Sequence, residues 1–167
     1  IEQECNSDTK ILIESFDQFG LEILNDIRGM FSIFLFDKKK NLVFLINDRF
    51  GEKPLYYSYS DKNLFFSSDI KSFNFKKRNI NKKILNKYFS YNYIGYPHTI
   101  WEDVNKISPS TIISFKIDFI NNKVSEPVFK KFWSPHKKID ISKDDLDSAT
   151  DKLDNLLSEA IENQLNA

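Results

Sequence analysis

The chain has 167 residues, and its 24 Lys and Arg residues balance its 24 Asp and Glu residues, so the formal net charge is zero. This balance gives no global basic field that would favour nucleic acid or an anionic membrane as a partner. No apolar run approaches the roughly 18 residues of a membrane span. The single cysteine excludes an internal disulfide framework and fits a reducing cytoplasm.

The first part of the chain predicts one helix followed by an antiparallel meander. Ser7 and Asp8 offer side-chain caps, and apolar residues recur at helical spacing after them until Gly20, which is placed to end the helix. The nearly continuous apolar run at residues 30–36 predicts a strand covered on both faces. Short turns then predict three further strands of the same meander, at residues 42–46, 55–59 and 64–67.

The second part predicts a helix, a strand pair and a separate last helix. Residues 81–94 predict a helix that a Gly-Tyr-Pro sequence ends. Residues 111–120 predict a strand, and residues 127–133, which begin with proline, predict an edge strand. Residues 135–141 are polar and predict a linker. Residues 142–165 predict an amphipathic helix whose burial partner we expect partly beyond the chain.

The loop at residues 47–57 concentrates the unusual residues of the chain. Gly51 permits a positive φ or a close backbone approach, and Pro54 fixes its own φ and holds Lys53 extended. Physical reasoning alone favours Asp48 and Arg49 as a local ion pair that steadies this loop.

No metal or nucleotide site is predicted within the chain. His98 and His136 are far apart in sequence, and a metal site needs three or four convergent ligands. The four glycines form no phosphate-binding loop.

Three sequence blocks, in the same order, resemble the glutaminase domain of glutamine-hydrolysing asparagine synthetases. The central block is the Asp-Arg-x-Gly-x-Lys-Pro-Leu-Tyr-Tyr sequence at residues 48–57, with matching blocks at residues 28–37 and 65–71. Weaker similarity continues through the rest of the chain, where Ser110 stands in place of a usual glycine. The resemblance thus covers nearly all of the chain from about Ser7.

The resemblance implies a class II glutamine amidotransferase with the N-terminal-nucleophile hydrolase fold. The expected fold class is α+β, made of the later part of an αββα sandwich and the first helix of an α/β synthetase domain. Residues 1–134 would be the C-terminal part of the glutaminase domain, residues 135–141 a linker, and residues 142–167 the start of the synthetase domain.

The resemblance also implies a binding residue. In the family, an aspartate of a Gly-Ser-Asp stretch at a helix start binds the α-amino group of substrate glutamine. Asp8 matches that aspartate, although Asn6 replaces the glycine and Lys10 replaces a glutamate that is usual two positions after the aspartate. A helix cap is the alternative role of Asp8. Structural roles are expected for the matched loop residues Asp48, Arg49, Gly51, Lys53 and Pro54.

No catalytic residue is assigned to this chain. The family nucleophile is a cysteine at the first position of the mature chain, where its own α-amine is the general base. Cys5 follows four other residues in an unmatched setting, so we reject it. The nucleophile, the oxyanion donors and the ATP-binding pyrophosphate loop are expected outside the chain, and the chain alone is expected to be inactive.

The parent enzyme implied by the resemblance is a cytoplasmic asparagine synthetase, with a homodimer as one possible state. It would hydrolyse glutamine to ammonia and transfer the ammonia to aspartate activated by ATP and magnesium, which would bind outside this chain. Two alternatives stay open: a relative that amidates another carboxylate, such as a sugar acid in polysaccharide synthesis, and a non-catalytic assembly module. Neither nucleic acid nor a membrane is expected as a partner.

Overall fold

The computed structural model describes residues 7–74, 77–135 and 146–165. Cys5, His136, the predicted linker after Pro135 and residues 142–145 of the predicted last helix lie outside these ranges. The chain divides into two compact units, here called unit 1 (Ile1–Ser134) and unit 2 (Pro135–Ala167).

The described part of unit 1 contains two α-helices, two 3₁₀ helices and eight strands, and all the strand pairs are antiparallel. The 3₁₀ helices are Gly20–Asn25 and Ile70–Phe73. The other elements, in chain order, are α1 (Asp8–Phe19), β1 (Ser32–Asp37), β2 (Leu42–Asn47), β3 (Tyr56–Ser60), β4 (Asn63–Ser67), α2 (Lys82–Tyr91), β5 (Asn105–Lys106), β6 (Thr111–Asp118), β7 (Lys123–Val124) and β8 (Val128–Lys131).

Helix α1 begins and ends at the predicted residues. The Ser7 hydroxyl accepts a hydrogen bond from the Lys10 backbone N–H, so Ser7 is the N-cap and Asp8 is the first helical residue. Gly20 ends α1 at a φ of 61°, a value that glycine adopts without a Cβ clash. Helix α2 ends three residues before the prediction because Asn92 is left-handed, with a φ of 58°.

The predicted single meander is wrong, because its strands belong to two sheets. Strand β2 pairs with β1 on one side and with β6 on the other, in a sheet that also contains β7 and β8 (sheet I). Strands β3 and β4 form a second sheet with the short strand β5 (sheet II). The loop between β2 and β3 therefore carries the chain from one sheet to the other.

Side chains of β2 alternate between two cores. Val43 and Leu45 belong to a buried cluster shared with residues of β3 and β6, between the two sheets. Ile46 belongs to a second cluster with Phe16 of α1, on the opposite face of sheet I. Successive side chains of a strand point to opposite faces, so unit 1 is layered as helix, sheet I and sheet II. Full burial of each such side chain stabilises the fold by about 1.5–3 kcal/mol.

Strand β1 is less covered than its apolar sequence predicts. Met30 lies before the strand and is exposed, and Phe34 within the strand is 49% exposed. The reason is position, because β1 is the outermost strand of sheet I among the described residues. Its Phe34 ring stacks on Phe66 of β4, the outermost strand of sheet II, with ring centroids 4.6 Å apart.

Unit 2 contains helix α3 (Leu146–Leu165), which ends at the predicted residue. None of its residues is buried, so its apolar side chains, including Leu153, Leu157 and Ile161, are exposed. None of the helices that the structure describes is both long enough and apolar enough to cross a membrane.

We expect the exposed Phe34–Phe66 pair to promote self-association, because unpaired strand edges with apolar side chains add to other chains. Phe34→Lys should lower the average mass of the 167-residue chain measured by light scattering over a concentration series. The control Phe89→Lys changes a more exposed phenylalanine of α2 and should leave association unchanged. A chain that stays monomeric at every concentration would contradict this expectation.

Candidate functional site

The loop between β2 and β3 is built around the Asp48 carboxylate, which is 1% exposed. Its Oδ1 accepts hydrogen bonds from the backbone N–H groups of Phe50, Gly51 and Glu52, with donor–acceptor distances of 2.9, 2.6 and 3.1 Å. Its Oδ2 accepts one from the Lys53 N–H at 3.0 Å. One side chain thus satisfies four successive backbone donors of a short loop, which we call the signature loop (residues 48–54).

These contacts determine the charge state of Asp48. Burial by itself raises the pKa of the carboxyl, but the four backbone N–H groups together outweigh burial and hold the pKa below its ordinary value of 3.8. Asp48 is therefore an anion at neutral pH, and its negative charge is stabilised by the backbone N–H groups of the loop. The four hydrogen bonds that the carboxylate accepts all come from the loop backbone, and Asp48 is buried.

The predicted ion pair between Asp48 and Arg49 is wrong. No ion pair joins these two residues in the part of the chain that the structure describes, because backbone donors surround the carboxylate. The Arg49 guanidinium turns away, and its Nη2 donates to the carbonyl oxygen of Asn25 at 2.5 Å. The same guanidinium lies over the indole ring of Trp133, 5.8 Å from the ring centroid.

Gly51 has both properties that the sequence suggested. Its φ is +71°, and a Cβ atom there would lie 2.6 Å from the Tyr96 hydroxyl and 3.0 Å from Cγ of Pro109. The Tyr96 hydroxyl donates to the Gly51 carbonyl oxygen at 2.8 Å. The Lys106 ammonium lies 4.4 Å from the Tyr96 ring centroid. The segment around Tyr96 thus closes over the loop at a distance that only glycine permits.

The loop delivers the chain into sheet II. Lys53 is exposed apart from the backbone N–H that it donates to Asp48, and Pro54 is half-buried. Leu55 follows as a buried residue, and its carbonyl oxygen accepts from the Ile107 N–H at 2.8 Å. Strand β3 begins at Tyr56, one residue later than predicted.

Asp8 occupies a different part of unit 1. It lies in the first turn of α1, and its side chain is exposed. The cap itself is Ser7, so the capping role that the sequence left open for Asp8 belongs to its neighbour. No hydrogen bond or ion pair joins Asp8 to the signature loop within residues 7–74, 77–135 and 146–165. The Asp8 side chain is thus exposed and is not joined to the loop.

The remaining candidates are His98 and a surface groove. His98 is exposed, and no group of three or more His, Cys, Asp or Glu residues in the described ranges is arranged to hold a metal ion. An open groove beside the β6–β7 turn is lined by Lys62, Lys116 and Lys123. The Tyr59 hydroxyl in that groove donates to the Val124 carbonyl oxygen at 3.1 Å, and the Ser125 hydroxyl donates to the Glu126 carbonyl oxygen at 3.0 Å.

Comparison with known proteins identifies relatives. A family profile described as "Glutamine amidotransferase domain" matches residues 2–133. A putative glutamine-hydrolysing asparagine synthetase of Methanocaldococcus jannaschii is 32% identical over 124 residues, which is 71% of this chain and 24% of that protein. A glutamine-hydrolysing asparagine synthetase of Bacillus subtilis is 47% identical over 69 residues, 41% of this chain and 9% of that protein.

A further relative is similar along the whole chain. A probable glutamine-hydrolysing asparagine synthetase of Acanthamoeba polyphaga mimivirus is 24% identical over 181 aligned residues, covering 100% of this chain and 28% of that protein. The aligned segments cover between 9% and 28% of the length of these three relatives, so the chain spans only part of each of them.

We expect Asp48→Asn to lower the free energy of unfolding by about 2–4 kcal/mol at pH 7, because a hydrogen bond to a charged group contributes about 1.5–3 kcal/mol. The asparagine side chain keeps one acceptor oxygen, but its NH₂ group replaces the second one. That NH₂ group is a donor and would face a backbone N–H, which is also a donor. The folded pKa of Asp48 is depressed, so its contribution is complete above the unfolded pKa and is lost as pH falls through the folded pKa.

Urea unfolding of both proteins at pH 7 and at pH 3 measures this dependence. The difference in unfolding free energy between wild type and Asp48→Asn should shrink as the pH falls below about 4. Asp61→Asn, in an exposed turn, is the control and should leave the free energy of unfolding unchanged at both pH values. A difference that does not change with pH would show that the charge of Asp48 is unimportant.

We also expect Gly51→Ala to destabilise unit 1 by about 2–3 kcal/mol, from a left-handed backbone and a disturbed Tyr96 hydrogen bond. Gly95→Ala is the control, because the nearest atom to a Cβ there lies at an ordinary 3.6 Å. Part of the cost should vanish in a Tyr96→Phe background, which removes the crowding hydroxyl. Equal stability of Gly51→Ala and Gly95→Ala would refute this account of the loop.

Proposed function

The chain belongs to the glutamine amidotransferase domain family, and on that premise we propose that it is part of a glutamine-dependent asparagine synthetase. The longer protein would hydrolyse glutamine to glutamate and ammonia and pass the ammonia to an aspartate activated with ATP. The observation that carries this proposal is the family match over residues 2–133. The three relatives described above are all named as asparagine synthetases, which favours aspartate over another carboxylate, such as a sugar acid, as the acceptor.

The proposal extends to the fold and the domains. Unit 1 would be the later part of an αββα N-terminal-nucleophile hydrolase sandwich, and its helix, sheet I and sheet II layering supports this. Residues 135–141 would link it to residues 142–167, the start of a synthetase domain. Similarity to the mimivirus relative, which continues through unit 2, supports that assignment. The homodimeric state and the cytoplasmic location stay predictions from the resemblance.

The role proposed for Asp8 is to bind the α-ammonium group of glutamine. Its carboxylate is exposed and lies where the partial positive charge of a helix N-terminus favours an anion. Ser7 already caps α1, so the Asp8 oxygens are not needed for the cap. A carboxylate here would bind and orient the substrate and take no part in breaking the amide bond.

The remaining chemistry is assigned outside this chain. Among the described residues no cluster of acidic side chains fits Mg²⁺, so no step through ATP or magnesium is assigned to them. We propose that the nucleophile and the oxyanion donors also belong to other parts of the longer protein. The 167-residue chain alone would then release no ammonia from glutamine.

Asp8→Asn in the full-length protein tests the proposal. Loss of one charge-assisted hydrogen bond costs about 1.5–3 kcal/mol, so the KM for glutamine should rise roughly ten- to hundredfold. The kcat at saturating glutamine should change much less, and synthesis from added ammonia should be unchanged, because ammonia bypasses the glutamine site.

The matched control is Ser7→Ala, which removes the N-cap of α1 and keeps the Asp8 charge. It should lower the stability of the protein by about 1 kcal/mol with little effect on the KM for glutamine. An Asp8→Asn protein with a normal KM for glutamine would exclude the binding role. Absence of glutamine hydrolysis in the wild-type protein would exclude the proposed function itself.

A further inference from the structure

The signature loop makes a second set of contacts, with the place where the chain leaves unit 1. Unit 1 ends at Ser134, directly after Trp133. The Trp133 ring meets the Phe50 ring edge-on, with centroids 5.3 Å apart, and lies beneath the Arg49 guanidinium. Two successive residues of the loop therefore hold the same indole ring.

Arg49 is itself fixed from the other side. Its hydrogen bond to the Asn25 carbonyl oxygen ties the guanidinium to the end of the 3₁₀ helix that follows α1. A planar guanidinium suits both contacts, since it donates in its plane and stacks on an aromatic face, and an ammonium group lacks that plane. The Arg49 contacts thus join the 3₁₀ helix after α1, the loop and the exit of unit 1.

Ser110 connects the loop and the exit through hydrogen bonds. Its N–H donates to the Asp48 carbonyl oxygen at 2.7 Å. Its carbonyl oxygen accepts from the Phe132 N–H at 3.0 Å, and its hydroxyl donates to the Trp133 carbonyl oxygen at 2.8 Å. Ser110 is 1% exposed and has a φ of 60°. All its hydrogen-bonding groups are thus divided between the loop and the exit.

We propose that Arg49, Phe50, Ser110 and Trp133 form an exit clamp, in which the signature loop fixes the position and direction of the chain where it leaves unit 1. Arg49 and Ser110 are positioning residues in this clamp. The functional part of this inference rests on the proposed function: the clamp keeps glutamine hydrolysis, in the domain of which unit 1 would be the later part, coupled to the use of ammonia beyond it. Loosening it leaves each half-reaction intact and wastes ammonia.

The test measures glutamate released per amide product formed by the full-length protein. Arg49→Lys keeps the positive charge and removes the planar group, and Ser110→Gly accepts the positive φ and removes the hydroxyl. Both should raise the glutamate-to-product ratio severalfold, while glutamine hydrolysis and ammonia-dependent synthesis stay at wild-type rates. Arg78→Lys, which weakens an ion pair with Asp103 outside the clamp, is the control for lost stability and should keep the wild-type ratio.

Hydrogen exchange of the Phe132 amide gives a second, activity-independent measurement. It should become severalfold faster in Arg49→Lys and Ser110→Gly and stay unchanged in Arg78→Lys. Unchanged exchange in both exit variants would overturn the clamp, and faster exchange with a wild-type ratio would overturn its role in coupling. If the wild-type protein hydrolysed no glutamine, the proposed function would fail, and the exchange rates alone would decide whether the clamp exists.

Discussion

The Asp48 carboxylate with its four backbone donors is the interaction on which the rest of unit 1 depends. Strand β2 ends in sheet I and β3 begins in sheet II, so the chain must cross between the sheets in a short loop, in which Asp48, Gly51 and Leu55 are buried. Each buried N–H left without a partner would cost about 1–3 kcal/mol. A single ionised side chain accepts from four loop N–H groups, in one buried hydrogen bond to Gly51 and three part-buried ones, and the carbonyl oxygen of the same residue accepts from the Ser110 N–H.

Neighbouring polar groups complete the crossing. The buried Asn47 side chain donates to the Ile107 carbonyl oxygen at 3.0 Å, and the Ile107 N–H donates back to Leu55. These bonds join the end of β2 to the segment after β5 in the other sheet. The polar residues of the loop are therefore explained by hydrogen-bond satisfaction.

Local signals predicted the elements well, and long-range pairing was the part that they did not predict. The Ser7 cap, Gly20 and the apolar runs of β1 and β2 act over a few residues and are visible in the sequence. Which sheet β3 joins depends on β6, more than fifty residues later, taking the free edge of β2. Alternation of apolar and polar residues identifies the two faces of a strand but not the strand that pairs with its edge. One meander and two sheets therefore give the same sequence pattern.

The site shows the same division. Gly51 was predicted because a glycine before a Lys-Pro step has a local explanation. The predicted ion pair between Asp48 and Arg49 was wrong because it rested only on two opposite charges being neighbours in the sequence. The folded loop instead brings four backbone N–H groups to the Asp48 carboxylate. A local signal existed, since aspartate side chains commonly bond backbone N–H groups of a following turn. The contact of Arg49 with Trp133 had no local signal, since the two residues are far apart in the chain.

Ser110 shows why a residue can matter for position and little for stability. A left-handed backbone costs a residue with a Cβ about 1–2 kcal/mol. The hydroxyl bond to Trp133 returns about 0.5–1.5 kcal/mol, and serine loses less backbone entropy on folding than glycine, a gain of about 0.5–1 kcal/mol. These terms nearly cancel, so serine and glycine are expected to give similar stabilities here. What serine adds is a directed bond from a residue that is hydrogen-bonded to the loop to Trp133, near the end of unit 1, and in the proposed clamp that bond acts on the direction in which the chain leaves.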